Sequence, residues 1–468
     1  MKKYILIILC CLTSFPLWSY NVNMIVEHYS VDQGLPNNTV NCTLKDRDGF
    51  IWFGTWYGLC CFDGVKFKTF NKQEHDSDVP PRKIQRIVED KNGYIWVKTI
   101  DRKLYVFNKV TECFHAVYDD MKNYSENIQV IKLQNTAEGD VLLLTKDKNL
   151  LLAGVDEKGQ VTIKILFDSR DEINKHDYTL KHHVLCETEE YISWIGTDYK
   201  VSAVHKGAEL ASRPADFITS KINSGDKDSF TSFFEDGRKV WVGDRAGIFY
   251  SIDVRTGLVN RYVLSEIKGA ISNLLVTPAG YVYLSVAGQG TYEYDLAERR
   301  LQKINTEMND AMVTHAFIDQ YDKIWFHENE KALIYYDPLN HTAKRFPFTM
   351  FGKITTLYSE DAGERGLFFL SPAGEAWLFD REHVEMVYIN KLKQLSNDRA
   401  NQQFYHLMLD NDGVLWLSSA DEGVYCMNFP KKQFNLLSLS PQSAGRENYA
   451  TGVRALFQSK SGDIWVGT

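Results

Sequence analysis

The sequence predicts an all-β chain, a β-propeller of four-stranded antiparallel blades at about 46 residues per repeat. Three observations predict it. A phrase of the form D-x-x-G-x-I-W-x-G-T recurs down the chain. Aromatic residues make up 13% of it against only 11 Pro, a composition that suits sheet surfaces better than helical bundles or disorder. Within a repeat, apolar and polar residues alternate over short runs, as in Gln85-Arg86-Ile87-Val88-Glu89-Asp90, with turn residues between the runs. At 468 residues the chain is too long for one ordinary domain, but repeat folds pass that limit because each unit packs only on its neighbours.

The N-terminus reads Lys2-Lys3, an apolar run from Tyr4 to Leu12, then Ser14, Pro16 and Ser19. This is the order of a secretory signal over 1–20, cleaved near Ser19 to Asn21. The run is shorter than the roughly 20 residues a membrane span requires. No later stretch is long and apolar enough to span a bilayer, so the rest is expected to be soluble and exported. Cys10 and Cys11 leave with the signal. Cys42, Cys60, Cys61, Cys113, Cys186 and Cys426 have neither zinc-type spacing nor the density of a disulfide framework, and are expected as free thiols.

The fullest repeat phrase is Asp46-Arg47-Asp48-Gly49-Phe50-Ile51-Trp52-Phe53-Gly54-Thr55. Others hold Trp96, Trp194, Trp241, Trp325, Trp416 and Trp465, and Leu143, Tyr283 and Phe369 fill the gaps. Asp46 to Gly49, Asp90 to Gly93 and Asp410 to Gly413 are predicted to close tight hairpins, Gly taking positive φ and Asp bonding the turn backbone. A calcium loop is disfavoured because no bidentate carboxylate recurs at fixed spacing after D-x-D-G. The Trp falls on the strand after the turn, where a large flat ring fills the wedge between blades.

The phrases, above all Gly49 to Phe70 (GFIWFGTWYGLCCFDGVKFKTF), resemble the two-component regulator propeller repeat of the periplasmic halves of Bacteroides-type hybrid sensor kinases. Val26 to Val40 (VEHYSVDQGLPNNTV) resembles that family's lead-in to the first blade. The resemblance implies two seven-bladed propellers followed by an immunoglobulin-like domain, a membrane helix, a histidine kinase, receivers and a helix-turn-helix output. None of those later parts is in this sequence, so this chain is expected to have no enzyme activity of its own. Ile464 to Thr468 stops in mid-blade, and a truncated N-terminal fragment is the expectation, with a second propeller restarting between Phe434 and Val453, where Gly445-Arg446-Glu447-Asn448 stands as Gly34-Leu35-Pro36-Asn37 stood. The division is drawn as 21–340 for the first propeller and 341–468 for blades of the second. An alternative stays open in which the first two blades join later ones.

Ligands of propellers bind at loops on one face or at seams between domains. The loops after the Trp strands offer Trp56, Tyr57, Arg102, Tyr199, Arg245, Gln289, Asp421 and Glu422 as ligand-binding candidates, alongside Asp101, Lys103, Lys146 to Lys148, Asp198, Lys200, Glu328 to Glu330 and Pro372. Trp56 and Tyr57 are the most suggestive, since aromatics with a polar handle suit sugar rings. The resemblance implies an oligosaccharide from polysaccharide breakdown as ligand, a homodimer in the full-length receptor, phosphorelay control of polysaccharide-utilisation genes, and membrane attachment only through parts beyond Thr468. The net charge of -8 disfavours nucleic acid for the chain as a whole, but leaves local basic clefts open. No nucleophile motif, P-loop or metal spacing is present, and His182-His183 point to opposite faces of a strand, so catalytic residues, metal and cofactor are all expected to be none. Two other classes compete. One is an exported glycosidase or lyase, using carboxylates such as Asp198, Glu328 and Asp421; the other is a protein-binding scaffold.

Overall fold

The computed structural model describes residues 25–70, 80–121, 129–146, 149–167, 185–188, 190–195, 200–207, 217–221, 230–304, 313–328, 331–351, 358–361, 366–371, 375–391, 404–428, 455–459 and 464–467. The predicted signal lies outside them, as do Tyr199, Asp198, His182-His183 and the predicted restart at 434–453. The chain forms two compact units, Met1–Asn428 and Phe429–Thr468. No described helix is long and apolar enough to cross a membrane.

Among the described residues of unit 1 there are nine four-stranded antiparallel sheets. Sheets 1 to 8 occupy 40–70, 84–116, 130–167, 185–221, 230–263, 271–303, 313–347 and 358–391, each a meander of four consecutive strands. Sheet 9 is different. Its first three strands are Phe404–Leu409, Leu415–Ser419 and Val424–Asn428, and its fourth is the first strand of the chain, Ile25–Tyr29, paired from Ile25↔Asn428 to Tyr29↔Val424. The N-terminal strand thereby covers an edge that would otherwise present unpaired backbone groups.

Successive sheets share apolar cores. Trp52 and Ile84 join sheets 1 and 2, Trp96 and Leu143 join 2 and 3, Trp194 and Leu142 join 3 and 4, and Tyr191 and Val242 join 4 and 5. Trp241 and Leu284, Tyr283 and Phe326, and Trp325 and Phe369 carry the series to sheet 8. The first strands of sheets 8 and 9 lie side by side. Trp416 and Phe53 then join sheet 9 to sheet 1. Unit 1 is a propeller whose first strands surround its axis.

The four-stranded blades expected from the sequence are present, but their grouping differs. The division drawn at 340/341 falls in the turn between the third and fourth strands of sheet 7, which pair from Ala332↔Pro347 to Asp337↔Thr342. A boundary there would cut a hydrogen-bonded hairpin. Nine sheets rather than seven fall in unit 1, and the boundary follows Asn428. Unit 2 holds one described hairpin, Ala455–Gln458 with Ile464–Gly467.

The register also refines the repeat. Trp52 pairs with the penultimate residue of the first strand, Leu44. The residues in that slot in sheets 3 and 8 are Leu142 (with Gln134) and Phe368 (with Glu360), not Leu143 and Phe369. Trp194 is shifted as well. The turn bond from Thr188 N–H to the Tyr191 carbonyl places Ser193 in the Trp slot and turns Trp194 to the opposite side, against sheet 3. A one-residue slip exchanges the faces of a strand, and spacing between phrases does not show it.

Candidate functional site

Each sheet has two ends with different chemistry. At one end the first strand turns into the second. Here the Asp of the repeat caps the turn and also holds the Trp. Asp46 Oδ1 accepts from the Asp48 and Phe50 amides, and its Oδ2 accepts from Trp52 Nε1 at 2.8 Å. The indole bond recurs from Trp96 to Asp90 (2.9 Å), Trp241 to Asp236 (2.7 Å), Trp325 to Asp319 (3.2 Å) and Trp416 to Asp410 (3.2 Å). A buried Trp needs a partner for its N–H, and the capping carboxylate supplies it. Where the slot holds Leu142, Ser193 or Tyr283, the Asp position is Thr136, Thr188 or Thr277 instead, whose hydroxyls accept turn amides. Gly49, Gly93 and Gly413 take φ of 92°, 87° and 76° in these turns, as the sequence predicts.

The carboxylates at this end are matched by cations from the next sheet. Lys109 Nζ lies 3.1 Å from Asp46, 2.7 Å from Asp48 and 2.8 Å from Glu89. These three carboxylates converge closely enough to suggest a metal, but the Lys109 ammonium already supplies the positive charge between them. Burial opposes that charge, yet the bonds to Asp48, Glu89 and Asp46 hold the Lys109 pKa above its ordinary value. Arg381 likewise bridges Asp319 (2.5 Å) and Asp361 (2.8 Å), and Lys45 reaches Asp410 (3.4 Å).

At the opposite end the second strand runs into its hairpin loop, and the connection from the preceding sheet enters the first strand. Backbone bonds tie these segments together. Trp56 N–H donates to the Thr39 carbonyl, Lys83 N–H to Trp56, Ile100 N–H to Lys83, Val130 N–H to Arg102 and Gly423 N–H to Asn38. Most of the predicted site residues stand on this end. Trp56 and Tyr57 are 44% and 62% exposed, and Lys83 Nζ sits 5.4 Å from the Trp56 ring. Arg102 is exposed, with φ 66°, and its guanidinium reaches Gln129 Oε1 at 3.5 Å. Arg245 and Asp421 are exposed. Gln289 is committed to its neighbours, accepting from Lys268 N–H (2.7 Å) and donating to the Glu266 carbonyl (3.1 Å). Glu422 accepts from the Tyr425 hydroxyl at 2.7 Å, and its carbonyl meets His28 Nε2 at 2.6 Å. Of the carboxylates considered for hydrolysis, Glu328 is buried against Arg345 (3.0 Å) and Lys331 (3.9 Å). Asp101, Lys103 and Lys146 share the loop end; Asp147, Lys148, Asn329, Glu330 and Pro372 lie outside the described residues.

Just inside this end lies a layer that the sequence reading missed. In seven sheets the first strand carries a register shift at its second residue, between Val40/Cys42, Ile84/Arg86, Val130/Lys132, Phe230/Ser232, Ile271/Asn273, Val313/His315 and Phe404/His406. Bulges re-aim side chains. The residue after each shift faces a fixed partner on the second strand: Cys42↔Gly54, Arg86↔Lys98, Lys132↔Leu144, Ser232↔Gly243, Asn273↔Ser285, His315↔His327 and His406↔Ser418. The Gly of the repeat is explained here, because a Cβ on Gly54 would lie 2.6 Å from Ile84 Cγ2 and also clash with Cys42. Lys98 occupies that slot in sheet 2. It is 6% exposed and donates to Gln85 Oε1 and the Ile131 carbonyl, both at 2.7 Å. Burial, then the charge of Arg102, lowers its pKa to about 8. Burial, then Arg86, lowers His406 to about 4, and its Nδ1 is buried without a hydrogen-bond partner. The signal was hidden because this position changes residue type along the chain, from Cys42 to Arg86, Lys132, Ser232, Asn273 and His315; only alignment from the Trp slot exposes it.

Cys42, Cys60, Cys61, Cys113 and Cys426 are free, and burial pushes Cys42, Cys60, Cys61 and Cys426 up to about 12. These thiols are poor nucleophiles.

Fold and register define a repeat propeller with an ion-paired turn end and an aromatic and basic loop end. Residues 34–57 match the family described as "Two component regulator propeller". No curated protein sequence matches it. Among solved structures it is similar to the extracellular domain of the Bacteroides thetaiotaomicron one component system BT4673, at 14% identity and TM-score 0.37 over 84% of this chain and 65% of that one. It is also similar to that of the hybrid two component system BT3049 of the same organism, at 14% identity and TM-score 0.33 over 95% and 64%. Virginiamycin B lyase of Staphylococcus aureus is similar at 8% identity and TM-score 0.34 over 86% and 99%. The chain thus spans under two thirds of the length of the two B. thetaiotaomicron chains, 65% and 64%.

Proposed function

We propose that unit 1 is the ligand-sensing region of an exported hybrid two-component sensor histidine kinase, binding a polysaccharide-derived oligosaccharide at its loop end. The observation that supports this most is the two component regulator propeller repeat at 34–57, set in a chain whose second strands repeat the same phrase. In this reading Trp56 and Tyr57 give a sugar ring an apolar plate, while Arg102, Arg245, Asp421 and Glu422 supply polar contacts around it. The periplasm is the site of sensing, and the receptor is a homodimer anchored by segments beyond this chain. Ligand that binds one dimer arrangement more tightly than the other biases the kinase across the membrane and, through phosphorelay, polysaccharide-utilisation genes. Only such a difference in affinity moves the equilibrium.

A thermal-shift screen of the chain against a panel of glycan oligosaccharides, with product analysis on every hit, tests the proposal. A ligand that binds the native state raises Tm. The proposal expects a shift with the glycan recovered intact. Cleavage of the glycan would replace the sensor with an enzyme, and silence across the panel would favour a protein-binding scaffold.

A further inference from the structure

Every titratable side chain in the bulge layer, apart from the Cys42 thiol, is basic. The seven cross-strand pairs contain Arg86, Lys98, Lys132, His315, His327 and His406, and no carboxylate. Arg86 and Lys98 are directly opposed on adjacent strands, an arrangement of like charges that destabilises a sheet. Arg86 is exposed, whereas Lys98 is buried and among the described residues donates only to neutral acceptors, so its ammonium stands without a counter-charge. Its third N–H is unused. The unpartnered Nδ1 of His406 lies in the same neighbourhood, since the first strand of sheet 1 packs against both the first strand of sheet 2, which carries Arg86, and that of sheet 9, which carries His406. Burying the Lys98 ammonium without a counter-charge costs free energy, and an anion bound between it and the exposed Arg86 guanidinium would remove that cost.

We infer that Arg86, Lys98 and His406 form a binding site for an oxyanion, the carboxylate or sulfate of an acidic saccharide, at the loop-end mouth of the propeller axis. This rests on the sensor reading for the saccharide, but not for the anion. Arg86 donates a two-pronged pair of hydrogen bonds to the oxyanion. Lys98 adds its free N–H, and the neutral His406 donates from Nδ1. Arg102 lies close enough to influence Lys98, so a sugar chain bound by its acidic group continues onto the loops that carry Arg102 and, in the neighbouring sheet, Trp56.

The test uses matched probes in calorimetric titration at constant ionic strength: glucuronic acid against glucose, N-acetylglucosamine 6-sulfate against N-acetylglucosamine, and inorganic sulfate alone. The acidic member of at least one pair is expected to bind the chain at least about tenfold more tightly than its neutral partner. Arg86→Gln should weaken that binding about tenfold or more. Lys98→Met should weaken it too while leaving the unliganded Tm at or above that of the parent, which separates a ligand-binding role from a structural one. Equal binding of neutral and acidic sugars, or acidic binding unchanged in both variants, overturns the site and leaves the sensor reading standing. Arg86-dependent binding of inorganic sulfate with no saccharide bound keeps the site and removes the sugar. No binding by any probe overturns the site.

Discussion

The two ends of the sheets use charge in opposite ways. At the turn end each buried carboxylate of the Asp–Trp pairs at Asp46, Asp319 and Asp410 has a cation from the adjoining sheet: Lys109, Arg381 and Lys45. At the loop end Arg86 and Lys98 oppose each other with no carboxylate in their layer. Matched charge of the first kind holds neighbouring blades in register. Unmatched charge of the second kind is stability held in reserve for a ligand, because evolution can fill a buried slot with Gly, as at Gly54 and Gly243, when nothing needs binding.

The largest effect expected belongs to neither end but to the wedge between sheets. Trp325 is fully buried against Phe369 and Phe379, and Trp325→Ala should cost about 3–5 kcal/mol in denaturant unfolding. The comparison itself is broken or sharpened by making one substitution at both ends. Lys109→Met should destabilise by about 1–3 kcal/mol, less than for a fully buried pair because the Lys109 side chain is 17% exposed. Lys98→Met should be neutral or stabilising, since it removes a like-charge contact and a buried ammonium. Equal losses from the two variants, in the same denaturation assay, would erase the distinction.

A smaller effect comes from His406. Its folded pKa, about 4, lies below the ordinary value near 6.5. Between these limits the unfolded chain binds more protons, so this contribution to stability is complete above about pH 6.5 and declines as pH falls toward 4. The slope from this one residue is at most about 1.4 kcal/mol per pH unit. His406→Asn should flatten the pH profile of Tm over that window, and an unchanged profile would count against a buried neutral imidazole.

Much of the fold was legible because its determinants are local. The Asp-to-Gly turn, the following Trp and the two-residue alternation all act within one hairpin, so the sequence displays them directly. The closure of sheet 9 by Ile25–Tyr29 was not legible, because it pairs residues at opposite ends of unit 1 and leaves no mark in the repeat. The Trp194 shift was hidden for a related reason, since one residue fewer in a turn reverses a face without altering the phrase. At the candidate site, the loop positions of Trp56, Tyr57, Arg102 and Asp421 followed from counting past the Trp strand. The commitments of Gln289 and Glu328 to their neighbours did not, because those partners lie in other strands and connections. The basic layer depends on a bulge and a cross-strand register, and neither is visible until strands are paired.

The most direct test of the unmatched-charge account is hydrogen–deuterium exchange of the chain with and without a glucuronic acid trisaccharide. The account predicts slowed exchange in Ile84–Glu89, Ile95–Thr99 and Phe404–Leu409, the strands that carry Arg86, Lys98 and His406. Protection confined to the turn end around Asp46 and Lys109, or to the outer strands, would contradict it.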